Sequence, residues 1–423
     1  MNETAATDRS AGSAAPAVSS RARLTWMIIG GGLIMFLALG TRQSFGLFQL
    51  PMLADKGWDR EIFSAAIAIQ NLVWGLAQPF AGMFADRLGP ARTAAGGALL
   101  YGLGLYLMAT PATPWLLYLG GGLVVGMALA ATSFAVVLGA VGRAAPPHRQ
   151  GVAMGVAGAV GSLGQFLMIP GNTALIEAFG WSTALLVGGG AMAVMLALTP
   201  TIRAPAATSP ATHPTAGLPA QGLIAAVREA AAHPGYWLLT AGFFVCGFQI
   251  TFIATHVVAY ISDTGLSIEV ASGTLSLIGF GNIFGAYAWS ALGDRYRRKH
   301  LLSLLYFARA VLIVVLLALP VAPWVALGFG LIMGVLWLGT VPLTTSLVGQ
   351  IFGTRYMTTL FGFVFFSHQL GAGLGVWLGG YLYDHTGSYD VAWMIAAGLG
   401  FVAAGLHWPI GDRPVPRLAD LAR

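Results

Sequence analysis

Apolar side chains gather in twelve runs separated by short polar breaks, at 24–48, 61–84, 91–110, 114–141, 149–175, 181–200, 235–260, 268–291, 300–319, 323–349, 357–382 and 391–410. An α-helix rises 1.5 Å per residue, so about 20 residues cross the ~30 Å hydrocarbon core of a bilayer. The pattern therefore predicts an all-α polytopic membrane protein with twelve transmembrane helices. The first run has no small-residue cleavage site near its end and reads as a retained helix. Residues 1–20, rich in Ala, Ser, Thr and Pro, predict a disordered tail. The Pro, Ala and Thr stretch between the sixth and seventh runs predicts a linker at 201–234. Within it, LIAAVREAAAH before Pro234 is either a short surface helix or plain linker.

Two polar turns between apolar runs resemble each other. QPFAGMFADRLGPARTAAGG holds Asp86 and Arg87, and WSALGDRYRRKHLL holds Asp294 and Arg295 in the same order, 294 − 86 = 208 residues later. The same offset carries Asp55 onto Asp263 and Gly57 onto Gly265, and an offset of 207 carries Gly155 onto Gly362 and Gly164 onto Gly371. The chain thus reads as a duplicate, with pseudo-symmetric six-helix bundles at 21–200 and 235–411 and a tail at 412–423. Internal repeats of this kind mark transporters whose site lies between the halves near the bilayer midplane. Gly155, Gly158, Gly161 and Gly164 in the fifth run, with Gly371, Gly375 and Gly379 in the eleventh, have the spacing that lets helix backbones approach in lipid.

Composition agrees with a bilayer setting: 57% of residues are hydrophobic and 9% charged, with a mean hydropathy of +0.76. The net charge of +6 has no basic cluster interleaved with exposed aromatics, which excludes a nucleic-acid surface. Of the 21 Lys and Arg, Arg42 and Arg309 fall within runs and Lys56 and Arg60 fall on one side. The rest fall on the other, so the positive-inside rule places both termini in the cytoplasm. The single Cys246 lies in an apolar run, which excludes a disulfide framework or thiolate cluster.

An arginine at mid-bilayer costs at least about 2.5–3.5 kcal/mol, so it faces a cavity or a partner. Arg42 and Arg309 are the two such residues, His256 and His368 are the other ionisable groups well inside, and no Asp or Glu joins them. A cationic, protonatable interior suits an anion and not a cationic drug. Gln249, Phe252 and His256 share one helix face, as do Asn71, Trp74 and Gln78. Gln369 adjoins His368, and Trp337, Thr340 and Thr344 form a further polar and aromatic face. Interhelical hydrogen bonding is the alternative for each polar residue. A guanidinium grips a carboxylate through two parallel hydrogen bonds, which makes Arg42 the candidate anchor. His256 and His368 would add donors or carry a proton. For Arg309, pairing with backbone carbonyls is the alternative to binding.

Taken together, GMFADRLGPAR and its weaker copy GDRYRRK, in which Ser290 stands at the position of Gly82, resemble the loops between helices two and three and helices eight and nine of the major facilitator superfamily. GTRQSFGLFQLPM, FSAAIAIQNLVWGLAQP, HVVAYISDTGLS and HQLGAGLGVWLGGYLYDHTGSY resemble its bacterial monocarboxylate and oxalate:formate group. The resemblance implies a central cavity, alternating access by rocking of the bundles, and a gating role for Asp86, Arg87, Asp294 and Arg295. It also implies a helix-eight arginine, where this chain has Asn282.

The expected function is secondary transport of a small organic anion, as a monocarboxylate:proton symporter of the inner membrane that works as a monomer. Exchange of carboxylate anions and proton-driven drug efflux are the alternatives. No nucleophile elbow, HExxH or nucleotide loop occurs, and the histidines lack metal spacing. Neither enzymatic activity, a cofactor nor a metal is therefore expected.

Overall fold

The computed structural model describes residues 16–146, 150–203, 222–320, 322–353 and 355–419. Twelve spanning elements follow one another. They are α1 (Pro16–Gln43, continued by Phe45–Lys56), α2 (Arg60–Leu88), α3 (Pro90–Ala109), α4 (Pro114–Ala144), α5 (Gln150–Phe179) and α6 (Trp181–Leu198). After them come α7 (Pro234–Asp263), α8 (Ile268–Arg295), α9 (Arg298–Ala318), α10 (Pro323–Phe352), α11 (Met357–Thr386) and α12 (Asp390–His407). Ten have both the length and the apolarity to cross a membrane. The other two, α2 and α3, are 29 and 20 residues long, enough to span, but α2 carries Gln70, Asn71 and Gln78 along its length.

The repeat read from the sequence reappears in the packing. A side chain at Gly164 of α5 would strike the Phe36 carbonyl of α1, and one at Gly371 of α11 would strike the Phe244 carbonyl of α7. Phe36 and Phe244 are themselves 244 − 36 = 208 apart. Gly57 and Gly265 both adopt a positive φ, 66° and 85°, in equivalent loops where an L side chain would be strained. Of the glycines in α5 expected to mediate packing, Gly161 and Gly164 contact α1, whereas a side chain at Gly155 or Gly158 would meet nothing within 4 Å.

Three helices are less regular than the sequence pattern implies. α1 is interrupted at Ser44 and runs on to Lys56; beyond the break, Gly46 brings its backbone against the Ala254 carbonyl of α7. α4 contains a wide turn over Tyr118–Val124 and a break at Ser133. α10 is broken between Val335 and Thr340. In hydrocarbon a broken helix must satisfy its freed backbone groups from within the protein. In α10 they are met by side chains: Trp289 Nε1 donates to the Val335 carbonyl (3.0 Å), Asn282 Oδ1 accepts from the Leu338 N–H (3.2 Å), and Arg309 donates to the Leu336 and Trp337 carbonyls.

Between the halves a helix does form at Leu223–Ala232, tied to the C-terminal segment by a 3.2 Å contact between Glu229 and Arg417. Residues 1–15 of the expected tail, 204–221 of the expected linker and 420–423 lie outside the described residues. Beyond α12 the chain folds back on the second half. Arg297 pairs with Asp412, Lys299 Nζ donates to the Ile410 carbonyl (2.8 Å), and the Val415 N–H donates to the Ile351 carbonyl (3.0 Å).

The two halves meet through α2 with α11, α5 with α8, and the distal part of α1 with α7. These contacts define two ends of the bundle, named here for Arg60 at the start of α2 and Asp86 near its finish.

Candidate functional site between the halves

Arg42 lies on α1, two residues before the break, and is partly buried against α2. Its Nη2 donates to Asn71 Oδ1 at 2.6 Å, and its guanidinium sits 5.1 Å from the centre of the Trp74 ring. Asn71 is oriented by its own helix, since its Nδ2 donates to the Ile67 carbonyl (2.7 Å) and leaves Oδ1 to accept from the arginine. Trp74 meets Phe365 of α11 edge-on at 6.0 Å across the interface. Phe365 stacks on His368 at 5.6 Å, and His368 Nδ1 lies 3.1 Å from Gln369 Oε1. The structure thus brings Arg42, Asn71, Trp74, His368 and Gln369 along one seam. No carboxylate lies within ion-pair distance of Arg42 among the described residues. Three buried donors of the seam, Arg42 Nε, Trp74 Nε1 and Gln369 Nε2, have no acceptor among the described residues.

Directly beside Arg42 lies a cavity of about 10 Å³, room for about one water, lined by Phe45, Gly46, Ile67, Gln70, Thr251, Ala254 and Thr255. Its walls come from α1 and α2 of one half and α7 of the other. Gln70, Thr251 and Thr255 were not among the sequence candidates. The signal was there in part, because Thr251 and Thr255 are four apart on one face of α7, and Gln70 is four before Trp74.

Other sequence candidates lie elsewhere. Gln249 points into the second bundle, where Nε2 donates to the Ala396 carbonyl of α12 (2.9 Å). Phe252 packs edge-on against Trp393 of α12 at 4.8 Å. Arg309 is fully buried against the break in α10, with Nη1 also 3.5 Å from Cys246 Sγ and no share in the cavity. These three share a helix face or a charge with binding residues, but the faces they occupy close the second bundle's own core. Thr340 bonds Cys246 (3.1 Å) in that same core.

His256, also fully buried, belongs to a lock at the Arg60 end. Its Nε2 is 2.9 Å from the Val376 carbonyl, which can only accept, so Nε2 carries the hydrogen. Nδ1 then accepts from the Tyr389 hydroxyl (3.1 Å), with Gln49 Nε2 of α1 at 3.4 Å. The Tyr389 hydroxyl in turn accepts from Arg60 Nη1 (3.0 Å). Arg60 grips both oxygens of Asp263 at 2.7 and 2.8 Å and lies 3.6 Å over the Tyr383 ring. Asp384 of α11 accepts from the Arg60 and Glu61 N–H groups (3.1 and 2.6 Å), supplying the cap that the N-cap residue of α2, Asp59, does not make with its own side chain. Trp377 Nε1 donates to Glu61 (2.9 Å). Every one of these contacts around Arg60 and Glu61 joins the first half to the second.

The Asp86 end differs. Asp86, Arg87, Asp294 and Arg295 are exposed, and the acids face arginines of their own halves: Asp86 is 3.7 Å from Arg143 and Asp294 is 3.8 Å from Arg298. Among the described residues, no ion pair crosses between the halves there.

A model of the Major Facilitator Superfamily matches residues 31–376. The chain belongs to that superfamily. Among its relatives, the uncharacterized MFS-type transporter YcxA of Bacillus subtilis (strain 168) is 24% identical over 385 residues, covering 87% of this chain and 90% of that one. Monocarboxylate transporter 13 of Bos taurus is 26% identical over 412 residues (94% and 92%), and the oxalate:formate antiporter of Oxalobacter formigenes is 24% identical over 406 (92% and 93%). A bacterial homolog of the human lysosomal transporter Spinster has the same fold, with a TM-score of 0.70 at 14% identity over 93% of this chain and 98% of that one. The protein is thus a multi-pass membrane transporter and not an enzyme, as expected from its sequence.

Proposed function

We propose that this superfamily member carries a small organic anion, a monocarboxylate, by proton symport across a bacterial inner membrane, with both termini in the cytoplasm. The observation that carries the reading is Arg42, a guanidinium between the halves with no acid partner and with unpaired donors on Trp74 and Gln369 along the same seam. An unpaired cation and donors without acceptors are complementary to a carboxylate. His368 and the aromatic rings of Trp74 and Phe365 would cover the rest of the substrate.

In this reading the Arg60 end faces outward and is shut, while the Asp86 end faces the cytoplasm with its halves unpaired. Asp86 and Asp294 form cross-half contacts in the opposite state. The two ends then alternate, each locked by charge pairs that exchange at an interface of intermediate polarity. His256 supplies the proton link. Protonation converts Nδ1 from acceptor to donor, which the Gln49 amide, turned to present its unpaired Oε1, and the Tyr389 oxygen must accommodate. A proton at His256 therefore acts on the lock directly. Anion exchange is the second reading, favoured by similarity to the oxalate:formate antiporter over 92% of the chain.

The test is counterflow in proteoliposomes with a panel of carboxylates and their amides. Carboxylates exchange and amides do not, and Arg42→Gln lowers carboxylate affinity by about tenfold or more. Unchanged affinity in Arg42→Gln would overturn the anchor. An acid-outside gradient separates the readings: symport accumulates substrate and loses accumulation in His256→Gln or His368→Gln, whereas an exchanger needs internal anion in every variant.

A further inference from the structure

The cavity beside Arg42 presents a polar surface of mixed kind. Gln70 is fully buried, and its amide is fixed because Nε2 donates to the Gly121 carbonyl of α4 at 2.7 Å. A carbonyl cannot donate, so turning the amide over would lose that bond, and Oε1 is left as a buried acceptor without a protein partner. Thr251, 1% exposed, brings an unpartnered hydroxyl from α7, and Arg42 brings the unpartnered Nε. All three residues line the same ~10 Å³ space. A space of that size holds about one water, so a small polar group entering it meets donors and an acceptor together. A carboxylate oxygen and a substituent on the adjacent carbon lie about 3 Å apart, close enough for one small space to receive both.

Resting on the carboxylate reading above, we propose that Gln70 is a specificity-determining residue that reads a hydrogen-bond donor on the carbon next to the substrate carboxylate, so that 2-hydroxy acids are favoured over 2-oxo acids. Arg42 Nε and the Thr251 hydroxyl donate to the carboxylate; the substrate hydroxyl donates to Gln70 Oε1. A 2-oxo group would set one acceptor against another and leave Oε1 buried and unpaired. Thr251 arrives from the opposite half, so the subsite is complete only when both halves contribute. In this compact form it holds no more than a water, and the parting of α1 from α7 at Gly46 and Ala254 gives the room a carboxylate needs.

The experiment is competition by 2-hydroxypropanoate, 2-oxopropanoate and propanoate against counterflow in proteoliposomes. Wild-type carrier is expected to bind the hydroxy acid about tenfold more tightly than the oxo acid. Gln70→Leu should bring that ratio to about one, and Thr251→Val should weaken all three alike. If wild type binds the hydroxy and oxo acids equally while propanoate still competes, the inference is overturned and the carboxylate reading stands. If none of the three competes but other anions do, the carboxylate reading itself falls. A wild-type ratio near one overturns the inference even where Gln70→Leu, deprived of its bond to α4, does not insert, and Gln70→Glu, which keeps an acceptor at the same place, should keep the preference for the hydroxy acid over the oxo acid.

Discussion

Two arginines sit inside the bundle, and their surroundings differ. Arg309 is enclosed in the second half, with its donors spent on the Leu336 and Trp337 carbonyls and on Cys246, and Tyr306 5.6 Å beneath its guanidinium. Arg42 stands at the seam between halves with one bond to Asn71, an aromatic ring alongside and an unpartnered Nε facing a cavity. One guanidinium completes a broken helix; the other awaits a group from outside the protein. The charge is the same, and the acceptors already supplied by the fold decide which arginine is structural. The equivalent position in the first half makes the point again. Residue 309 − 208 = 101 is Tyr101, fully buried on α3, whose hydroxyl donates to the Ala38 carbonyl of α1 (2.9 Å) rather than to the break in α4.

The largest effect should follow from removing the enclosed arginine. Arg309→Leu leaves two buried carbonyls without donors, and each costs about 2–7 kcal/mol in an apolar medium, comparable to the whole stability of a domain. Size-exclusion traces in detergent should lose most of the monodisperse peak. Arg42→Gln, measured in the same way, should stay near wild type because its environment already leaves donors unmatched. Equal losses from the two variants would erase the distinction drawn here, and a well-folded Arg309→Leu would reverse it.

This contrast also marks how far the sequence could be read. The twelve helices were legible because apolar length alone specifies a span, and the duplication because Asp86 and Asp294 share a motif. The helix-packing role of Gly164 and Gly371 was legible from spacing. The candidate site was legible in Arg42, Asn71 and Trp74, which come from neighbouring helices with unusual polar content. What spacing could not supply was the direction in which a face points. Gln249, Phe252 and His256 share a face as expected, yet it packs on α11 and α12. Helical period gives relative angles within a helix and no absolute orientation in the bundle. The break in α10 was also hidden, because Leu336, Trp337, Leu338 and Gly339 remain apolar. Arg60 and Asp263 sit at helix ends where charged residues are ordinary, so nothing in the sequence paired them.

A middle-sized effect should come from Arg60, an arginine that joins the halves without being enclosed by either. Arg60→Gln removes the bidentate grip on Asp263 and the bond to Tyr389, and a shift of about 1–2 kcal/mol changes the ratio of two states by roughly 5- to 30-fold. Spin labels at Asp55→Cys and Asp390→Cys would report the separation at that end, and the one native thiol, Cys246, is fully buried and out of reach of the label. The distance distribution should lengthen and transport should slow by about threefold to tenfold. An unchanged distribution would mean that Asp384 and the Trp377–Glu61 bond hold the end shut by themselves, and the lock would have to be redrawn around α11.

The smallest effect should come from an arginine outside the membrane, where water competes for every bond. Arg297 pairs with Asp412, and the guanidinium holds the Asp412 carboxyl below the usual carboxylate range. A carboxyl whose pKa is depressed on folding stabilises the fold above its unfolded value, about 3.9, and that contribution fades as the pH falls through the lowered value. Attachment of the C-terminal segment should therefore be unaffected between pH 7 and 5 and should loosen only below about pH 4. Hydrogen exchange at Val415, whose N–H is bonded to the Ile351 carbonyl, follows it directly. In Arg297→Gln the segment should exchange faster already at pH 7 and lose most of its acid dependence, because a carboxyl near its ordinary value no longer distinguishes the attached state, while Arg42 and Arg309 remain undisturbed in the bundle. Identical pH profiles for wild type and Arg297→Gln would show that Lys299 and Gln350 hold the segment without the ion pair, through their bonds to the Ile410 and Asp412 carbonyls.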